Sequence, residues 1–456
     1  MNAKLKMQNV KLFFCLCLSV LICGSTSVVH SQNDGSEQNQ TGKAGTFAIV
    51  GARIVTVSGA TIENGTVVIK DGKIAAVGAG VAIPAGAERI DGKGLSVFPG
   101  MIDASTNMGL AEITLGLAAS VDLAEVGNMN ADARAIKGIH PHSAHVNVTR
   151  VNGITTVLSA PTGGTISGQA AVINLNGSTP DEMAVVREFG LVISFPTVAG
   201  GGGRFGGGFG GGPAVDFNEA VRRRDQAVEE LKKIFRNAEN YLKARDAYAK
   251  DKSLPYPATD QKLEAMAPYI RGEKPIIFSA ERERDIRAVA KFVGEMKVKG
   301  IIDGGQEAWK AADDLKKNNI PVVYTHIYSL PVREDDPYDY LFEAPSKMQA
   351  AGVKFCISTG NTGAEVHDLP YHAGLAGAFG LSKEDALKSV TLYPAEILGL
   401  ADKMGSIDVG KVANIVIADG NILDARTNIK YLFINGRLLP LTSRHTELFD
   451  SFKDRK

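Results

Sequence analysis

Cysteine is scarce in this chain of 456 residues. There are four, and Cys15, Cys17 and Cys23 all fall near the N-terminus. The fourth, Cys356, stands inside the apolar run Gly352-Val-Lys-Phe-Cys-Ile and reads as a buried strand residue. A disulfide framework is thereby excluded, and stability must rest on a large core. An excess of charge of either sign is also lacking: Lys+Arg and Asp+Glu both number 50, so no global field points to nucleic acid or an anionic surface. The apolar run from Leu12 to Cys23 is too short to cross a bilayer as a helix. What is present, 44% hydrophobic and 22% charged residues, describes a globular protein. The length allows two or three average domains or one α/β barrel with a small appendage.

The N-terminus reads as a targeting segment. Lys4, Lys6 and Lys11 precede the apolar run, and small and polar residues follow to Ser31. This is the order of a signal peptide over residues 1–31, with Val29 and Ser31 at the small-residue positions. Lipid attachment at Cys23 would need a small residue before it, and Ile22 stands there, which favours cleavage and simple export to a periplasmic or extracellular location. Loss of those three lysines leaves a chain of net charge about −3. Residues 32–45 are polar and are expected to form a disordered linker.

From Phe47 to Leu95 short β-branched runs alternate with turns, and Asp71-Gly72 between two of them signals a hairpin. Matching runs recur at Gly410-Lys-Val-Ala-Asn-Ile-Val-Ile and Ile429-Lys-Tyr-Leu-Phe-Ile. Segments 46–95 and 403–440 are therefore expected to meet in one composite β-sandwich, with 96–402 inserted between them and 441–456 as a tail. The middle has another rhythm: continuous apolar runs such as Lys274-Pro-Ile-Ile-Phe-Ser, Gly300-Ile-Ile-Asp and Ile320-Pro-Val-Val-Tyr-Thr, separated by helical patterns such as 285–294 and 306–315. Such units predict a parallel sheet, and a closed barrel would carry its functional loops at the C-terminal strand ends. A glycine-rich insert, 199–213, suits a surface loop or a flap. The stretch 214–252 predicts a long helix whose alternating charges need no nucleic-acid partner.

Several motifs resemble the amidohydrolase superfamily, most closely its imidazolonepropionase-like and prolidase-like secreted members. Val97-Phe-Pro-Gly-Met-Ile-Asp103 is similar to the first-strand signature. The segments 382–399 and 405–417 are similar to the C-terminal signature, and Arg150-Val-Asn-Gly-Ile-Thr-Thr-Val and Gly163-Gly-Thr-Ile-Ser-Gly-Gln also look like this group. The similarity runs from residue 47 to 440. It implies a distorted (β/α)8 TIM-like barrel with a β-sandwich built from both chain ends. It also implies zinc or another divalent metal, held by two histidines on the first strand and further histidines ending the fifth and sixth. An aspartate ending the eighth strand would take a proton from the metal-bound water.

At those positions this chain carries Ser105 and Asn107, Ser279, Gly304 and Gly360. Serine and asparagine oxygens are poor zinc ligands, and glycine offers no side chain. No metal or other cofactor is therefore expected. Other polar groups lie within reach of the barrel mouth. His326 ends the seventh-strand run, Asp303, Glu281 and Glu283 lie just beyond other strands, and Glu365, His367, Asp368 and His372 follow the eighth. Two carboxylates with His326 would suit acid–base chemistry without a metal, although such acids commonly form salt bridges or sit at helix N-termini. His140, His142 and His145 form a cluster, which Pro141 and a loop-like context mark as polar surface rather than a metal site. There is no nucleophile elbow, and Gly163-Gly164-Thr165 is a turn rather than a phosphate loop.

The expectation is an exported homologue that binds a small molecule in a vestigial pocket, or supports an active paralogue in a hetero-oligomer; a homo-oligomer is equally open. No nucleic acid and no membrane span are expected. The alternative is a hydrolase of cyclic amides or proline dipeptides with a displaced site around His326, His367 and Asp303.

Overall fold

A computed structural model describes residues 41–113, 121–198, 216–331, 335–360 and 363–455. The signal segment and the glycine-rich insert lie outside these residues. Two sheets organise the chain. The first contains β1 (Phe47–Ile54), β2 (Ile62–Lys70), β3 (Lys73–Gly78), β4 (Glu88–Asp91) and β5 (Ser96–Pro99). The second contains β6 (Met101–Thr106), β7 (Ile154–Ser159), β8 (Ile166–Asn174), β9 (Ala184–Ser194), β10 (Pro275–Ala280), β11 (Lys299–Gly304), β12 (Val322–Tyr324) and β13 (Phe355–Ile357). The chain then returns to the first sheet as β14 (Ile415–Ala418), β15 (Ile429–Ile434) and β16 (Arg437–Leu439).

The first sheet unites both chain ends because β5 sits between β1 and β14. It curls until β3 meets the segment before β14, where Ile74 N–H donates to the Lys411 carbonyl at 2.9 Å. The apolar side chains of Phe47, Ile49, Ile69, Val97, Ile415 and Phe433 fill the inside of the curl. The end of the expected linker is docked rather than loose. Backbone hydrogen bonds join Lys43 and Leu438 in both directions, and the Arg437 guanidinium donates to the Thr41 carbonyl, because the β16 edge would otherwise leave its donors unpaired.

The second sheet is a nearly closed eight-stranded barrel running from β6 to β13. Its sequence alternation sorts the core. Ile102, Leu158, Ala170, Val192, Ile277, Ile301, Val323 and Cys356 pack inside the barrel with 395–404, whereas Ile276, Phe278 and Ile302 face the surrounding helices. Not every strand is parallel, as the apolar runs suggested. β8 is antiparallel to both β7 and β9. Only residues 160–165 join β7 to β8, too few for the crossover that a parallel neighbour requires.

The helix Glu283–Met296 buries Ile286, Val289, Ala290 and Val293 on one stripe against the barrel. Its first turn is capped from outside, since Glu283 N–H donates to the Glu307 carboxylate at 3.0 Å. The long charged helix spans Phe217–Lys250 and buries Leu231, Phe235, Ala238 and Leu242. Phe235 meets Phe292 edge-on with ring centres 5.1 Å apart. Charge covers the rest of that helix, which explains why its polar sequence still holds one face on the core. Among the described residues no helix is long and apolar enough to cross a membrane.

Candidate functional site

The barrel seam is closed by side chains where the ladder stops. Asp103, fully buried on β6, accepts from the Thr359 N–H at 3.1 Å, the Thr359 hydroxyl at 2.6 Å and the Ser105 N–H at 3.1 Å. The Ser358 hydroxyl accepts from Ala104 N–H at 2.9 Å, just after β13. Burial pushes the Asp103 carboxyl up to about 6, even though these hydrogen bonds pull the other way. The aspartate of the first-strand motif thus fastens the first barrel strand to the last.

Beyond the seam, at the C-terminal strand ends, lies a cavity of about 770 Å³. Ser105, Asn107, Ser279, Asp303, His326 and Gly360 all line it, so the structure gathers residues that stand up to 255 positions apart in the chain. Strand register explains the gathering. Ser279 on β10 pairs with Ser194 on β9 and with Asp303 on β11. Ser279 and Asp303 each lie two residues beyond an inward-facing isoleucine, Ile277 and Ile301, and so share the inner face. Asn107 is spent on the scaffold: its amide donates to the Ala160 carbonyl at 2.8 Å and holds the end of β7.

Gly304 pairs with Ala280 and has a φ of +117°. A Cβ at this position would collide with both carboxylate oxygens of Glu281. The volume in which a side chain ending β11 would begin is therefore occupied by Glu281. That carboxylate is in turn 2.6 Å from His326 Nε2, while His326 Nδ1 lies 3.0 Å from the Ser329 hydroxyl and 3.4 Å from the Gln306 amide. Both nitrogens of His326, the one imidazole among the described residues that line the cavity, are engaged by the protein.

These residues do not fit the metal that the resemblance implies. Serine and asparagine oxygens stand at the first and fifth strands, the sixth-strand position is filled by Glu281, and His326 offers no uncommitted nitrogen. Among the described residues no three His, Cys, Asp or Glu side chains are arranged to hold an ion. His140, His142 and His145 do not converge: the first two rings meet edge-on, while His145 Nε2 is 2.9 Å from the Glu112 carbonyl.

His367 is not brought to the cavity. It lies on the short helical turn Gly363–Asp368, with Nε2 3.5 Å from Asp368 and its ring beside His445. A displaced site joining His326, His367 and Asp303 is therefore not assembled; His326 and Asp303 share the cavity without it. The direct partners of His326 were harder to read from sequence. Ser329 follows it by three residues across a turn closed by Ser329 N–H donating to the His326 carbonyl at 3.2 Å, a spacing common to many loops. Glu281 comes 45 residues earlier, and only strand order brings it alongside.

Known proteins share the fold. The Amidohydrolase family model matches residues 336–439, from before β13 through β16. An amidohydrolase of Thermotoga maritima MSB8 superposes with a TM-score of 0.74 at 24% identity, covering 87% of this chain and 100% of that one. The fold is that of the amidohydrolases. A prolidase solved with N-methylphosphonate-L-proline superposes with a TM-score of 0.52 at 18% identity, covering 86% and 99% of the two chains. Among curated proteins, amidohydrolase tasK of Hapsidospora irregularis is 23% identical over 398 residues, 82% of this chain and 39% of that protein. N-acetylglucosamine-6-phosphate deacetylase of Caenorhabditis elegans is 36% identical over 80 residues, 17% of this chain and 18% of that protein. This chain thus spans less than half the length of either curated relative. The chain is thus similar in fold to amidohydrolases and prolidases, and part of it matches the Amidohydrolase family model.

Proposed function

We propose that this chain is an exported, ligand-binding member of the amidohydrolase superfamily that has lost metal-dependent hydrolysis. One observation carries the reading: the Glu281 carboxylate occupies the space of a side chain at Gly304 and is held there by His326 at 2.6 Å. A zinc hydrolase needs open lone pairs converging on one point. Here the first- and fifth-strand oxygens are neutral, and Glu281 and His326 are paired with each other. The cavity remains large enough for a small molecule, which supports retention of binding after loss of the reaction. Support of an active paralogue within an oligomer is compatible with the same site. Export rests on the order of Lys4, Lys6, Lys11 and the apolar run to Cys23.

The test is metal analysis of the purified protein, grown in medium supplemented with zinc, iron and manganese. The expected result is well below one ion per chain. Near-stoichiometric metal, together with hydrolysis of a cyclic amide or an Xaa-Pro dipeptide that a chelator abolishes, would overturn the proposal. A second reading, a metal-independent hydrolase of C–N bonds, is favoured by the chain of contacts Glu281–His326–Ser329, which joins a carboxylate, an imidazole and a hydroxyl. It requires turnover in metal-free protein that His326→Ala removes.

A further inference from the structure

Four serines line the cavity: Ser105 on β6, Ser167 on β8, Ser194 on β9 and Ser279 on β10. Three of them stand on neighbouring strands. Ser194 pairs with Ser279, and Ser167 lies between Ile166, which pairs with Ile193, and Gly168, which pairs with Val192. The β8–β9 ladder slips at that point, and the slip leaves Ile166 in the core outside the barrel while Ser167 turns to the cavity. Adjacent strands are about 4.8 Å apart, so β8, β9 and β10 offer a row of hydroxyls at roughly that spacing. Ser167 is 1% exposed, and its hydroxyl has no hydrogen-bond partner among the described residues. A buried hydroxyl left so is costly unless something in the cavity answers it. Beside the row, Pro161 and Phe195 give the cavity an apolar surface. Glu281 and Asp303 line the space too, but both have partners within the protein and so call for no charge on a ligand.

We propose, resting on the ligand-binding reading above, that the cavity takes a neutral saccharide. Its hydroxyls meet the serine row, Ser167 included, and a C–H face of its ring lies on Phe195 and Pro161. A serine hydroxyl donates one hydrogen bond and accepts up to two. A ligand that satisfies a row of such groups must itself donate and accept at successive positions. Every hydroxyl of a saccharide does both, whereas a carboxylate only accepts and an ammonium group only donates. Neutral hydroxyls also supply no charge, and an ion held by them alone would give up its water without a counter-ion. An amide donates and accepts along one edge only, and so spans fewer members of the row. Saccharides carry hydroxyls at the ring edge and C–H groups on the ring faces, which matches a polar row beside an aromatic side chain. The volume, about 770 Å³, is ordinary for a small-molecule site in which a few polar groups fix the orientation. Two of the positions emptied of metal ligands, Ser105 and Ser279, thereby gain a part in recognition.

The probes are the methyl glycosides of glucose, galactose and mannose, with the disaccharides maltose and cellobiose. Glucosamine and glucuronate supply the same kind of ring with a charge, and cyclohexanol a ring with a single hydroxyl. Calorimetric titration of the purified protein is expected to give at least one neutral sugar a Kd of about 1 mM or tighter. That sugar should bind about tenfold or more tighter than cyclohexanol and than either charged ring. Ser167→Ala and Ser279→Ala are each expected to weaken it by about fivefold. Ser167→Ala should leave the thermal midpoint of the free protein unchanged or raised, because the hydroxyl that it removes has no partner there. A lowered midpoint with unchanged sugar binding would assign that hydroxyl to the fold and overturn the inference. So would the absence of binding by all five sugars at about 10 mM, or a charged ring or cyclohexanol preferred to all of them. A metal-loaded, hydrolytic protein that still binds a sugar would overturn only the metal-free reading. A metal-free protein that binds cyclohexanol and none of the sugars would overturn only this one.

Discussion

Glu281 stands where a side chain on residue 304 would begin, and His326 keeps it there. The glycine and the glutamate are one feature, because Gly304, lacking a Cβ, leaves room for the carboxylate where it stands, and its φ of +117° favours glycine.

Gly304→Ala tests that coupling. The backbone conformation alone is expected to cost about 1–3 kcal/mol, and the new methyl group must also push Glu281 off His326. In Gly304→Ala/Glu281→Ala the steric part disappears and the backbone part remains. A double-mutant cycle from urea denaturation should therefore give a coupling of at least about 0.5 kcal/mol, the double variant being more stable than the sum of the singles predicts. Strict additivity would mean that Glu281 moves aside at no cost and that the pair is incidental.

Asp103 gives a second prediction through its raised pKa. Burial lifts it from the usual 3.8 to about 6, so between these values the folded chain holds a proton that the unfolded chain has released. Folding stability contributed by this group therefore falls as pH rises from about 4 to about 6, by at most roughly 3 kcal/mol. Asp103→Asn keeps one acceptor for Thr359 and cannot titrate. Relative to the parent, its stability should rise steadily across that window, measured as chemical denaturation midpoints at constant ionic strength. A difference that does not change with pH would show that Asp103 is ionised over the whole range.

How far the sequence reaches is clear from these same residues. The composite sheet and the charged helix were legible from local periodicity and turn residues, and the barrel from the resemblance. The reversal of β8 was in principle also legible, in the six residues between Ser159 and Ile166, but continuous apolar runs hide strand direction. Of the positions that the resemblance singled out, Ser105, Asn107, Ser279 and Gly360 line one cavity. The contacts around them were not legible. Nothing local relates Glu281 to Gly304 and His326, and nothing in the first-strand motif tells that Asp103 closes the seam against Thr359. Those pairings depend on which strands become neighbours on closure of the barrel. His367 misled for the converse reason, since proximity in sequence to the eighth strand does not place a side chain in the mouth.

His372 supplies the last prediction, with the opposite sign. It is buried on the helix Leu369–Ala378, its ring 4.1 Å from that of Tyr328, and neither ring nitrogen has a hydrogen-bond partner among the described residues. Burial lowers its pKa from the usual 6.5 to about 4. Between these values the unfolded chain takes up a proton that the folded chain refuses, so its contribution is complete above pH 6.5 and declines as pH falls towards 4, by at most about 3 kcal/mol. Asp103 and His372 thus pull in opposite directions over nearly the same range, and in the parent protein they offset each other. His372→Phe, which keeps a ring against Tyr328, removes one side of the balance. Relative to the parent, it should gain stability on acidification from pH 6.5 to 4, whereas Asp103→Asn should lose it over pH 6 to 4. Combining the two should restore a pH profile close to the parent's, because the sites lie on different elements and are expected to add. A His372→Phe profile parallel to the parent's would mean that His372 is protonated in the folded chain, and would require an acceptor for its ring.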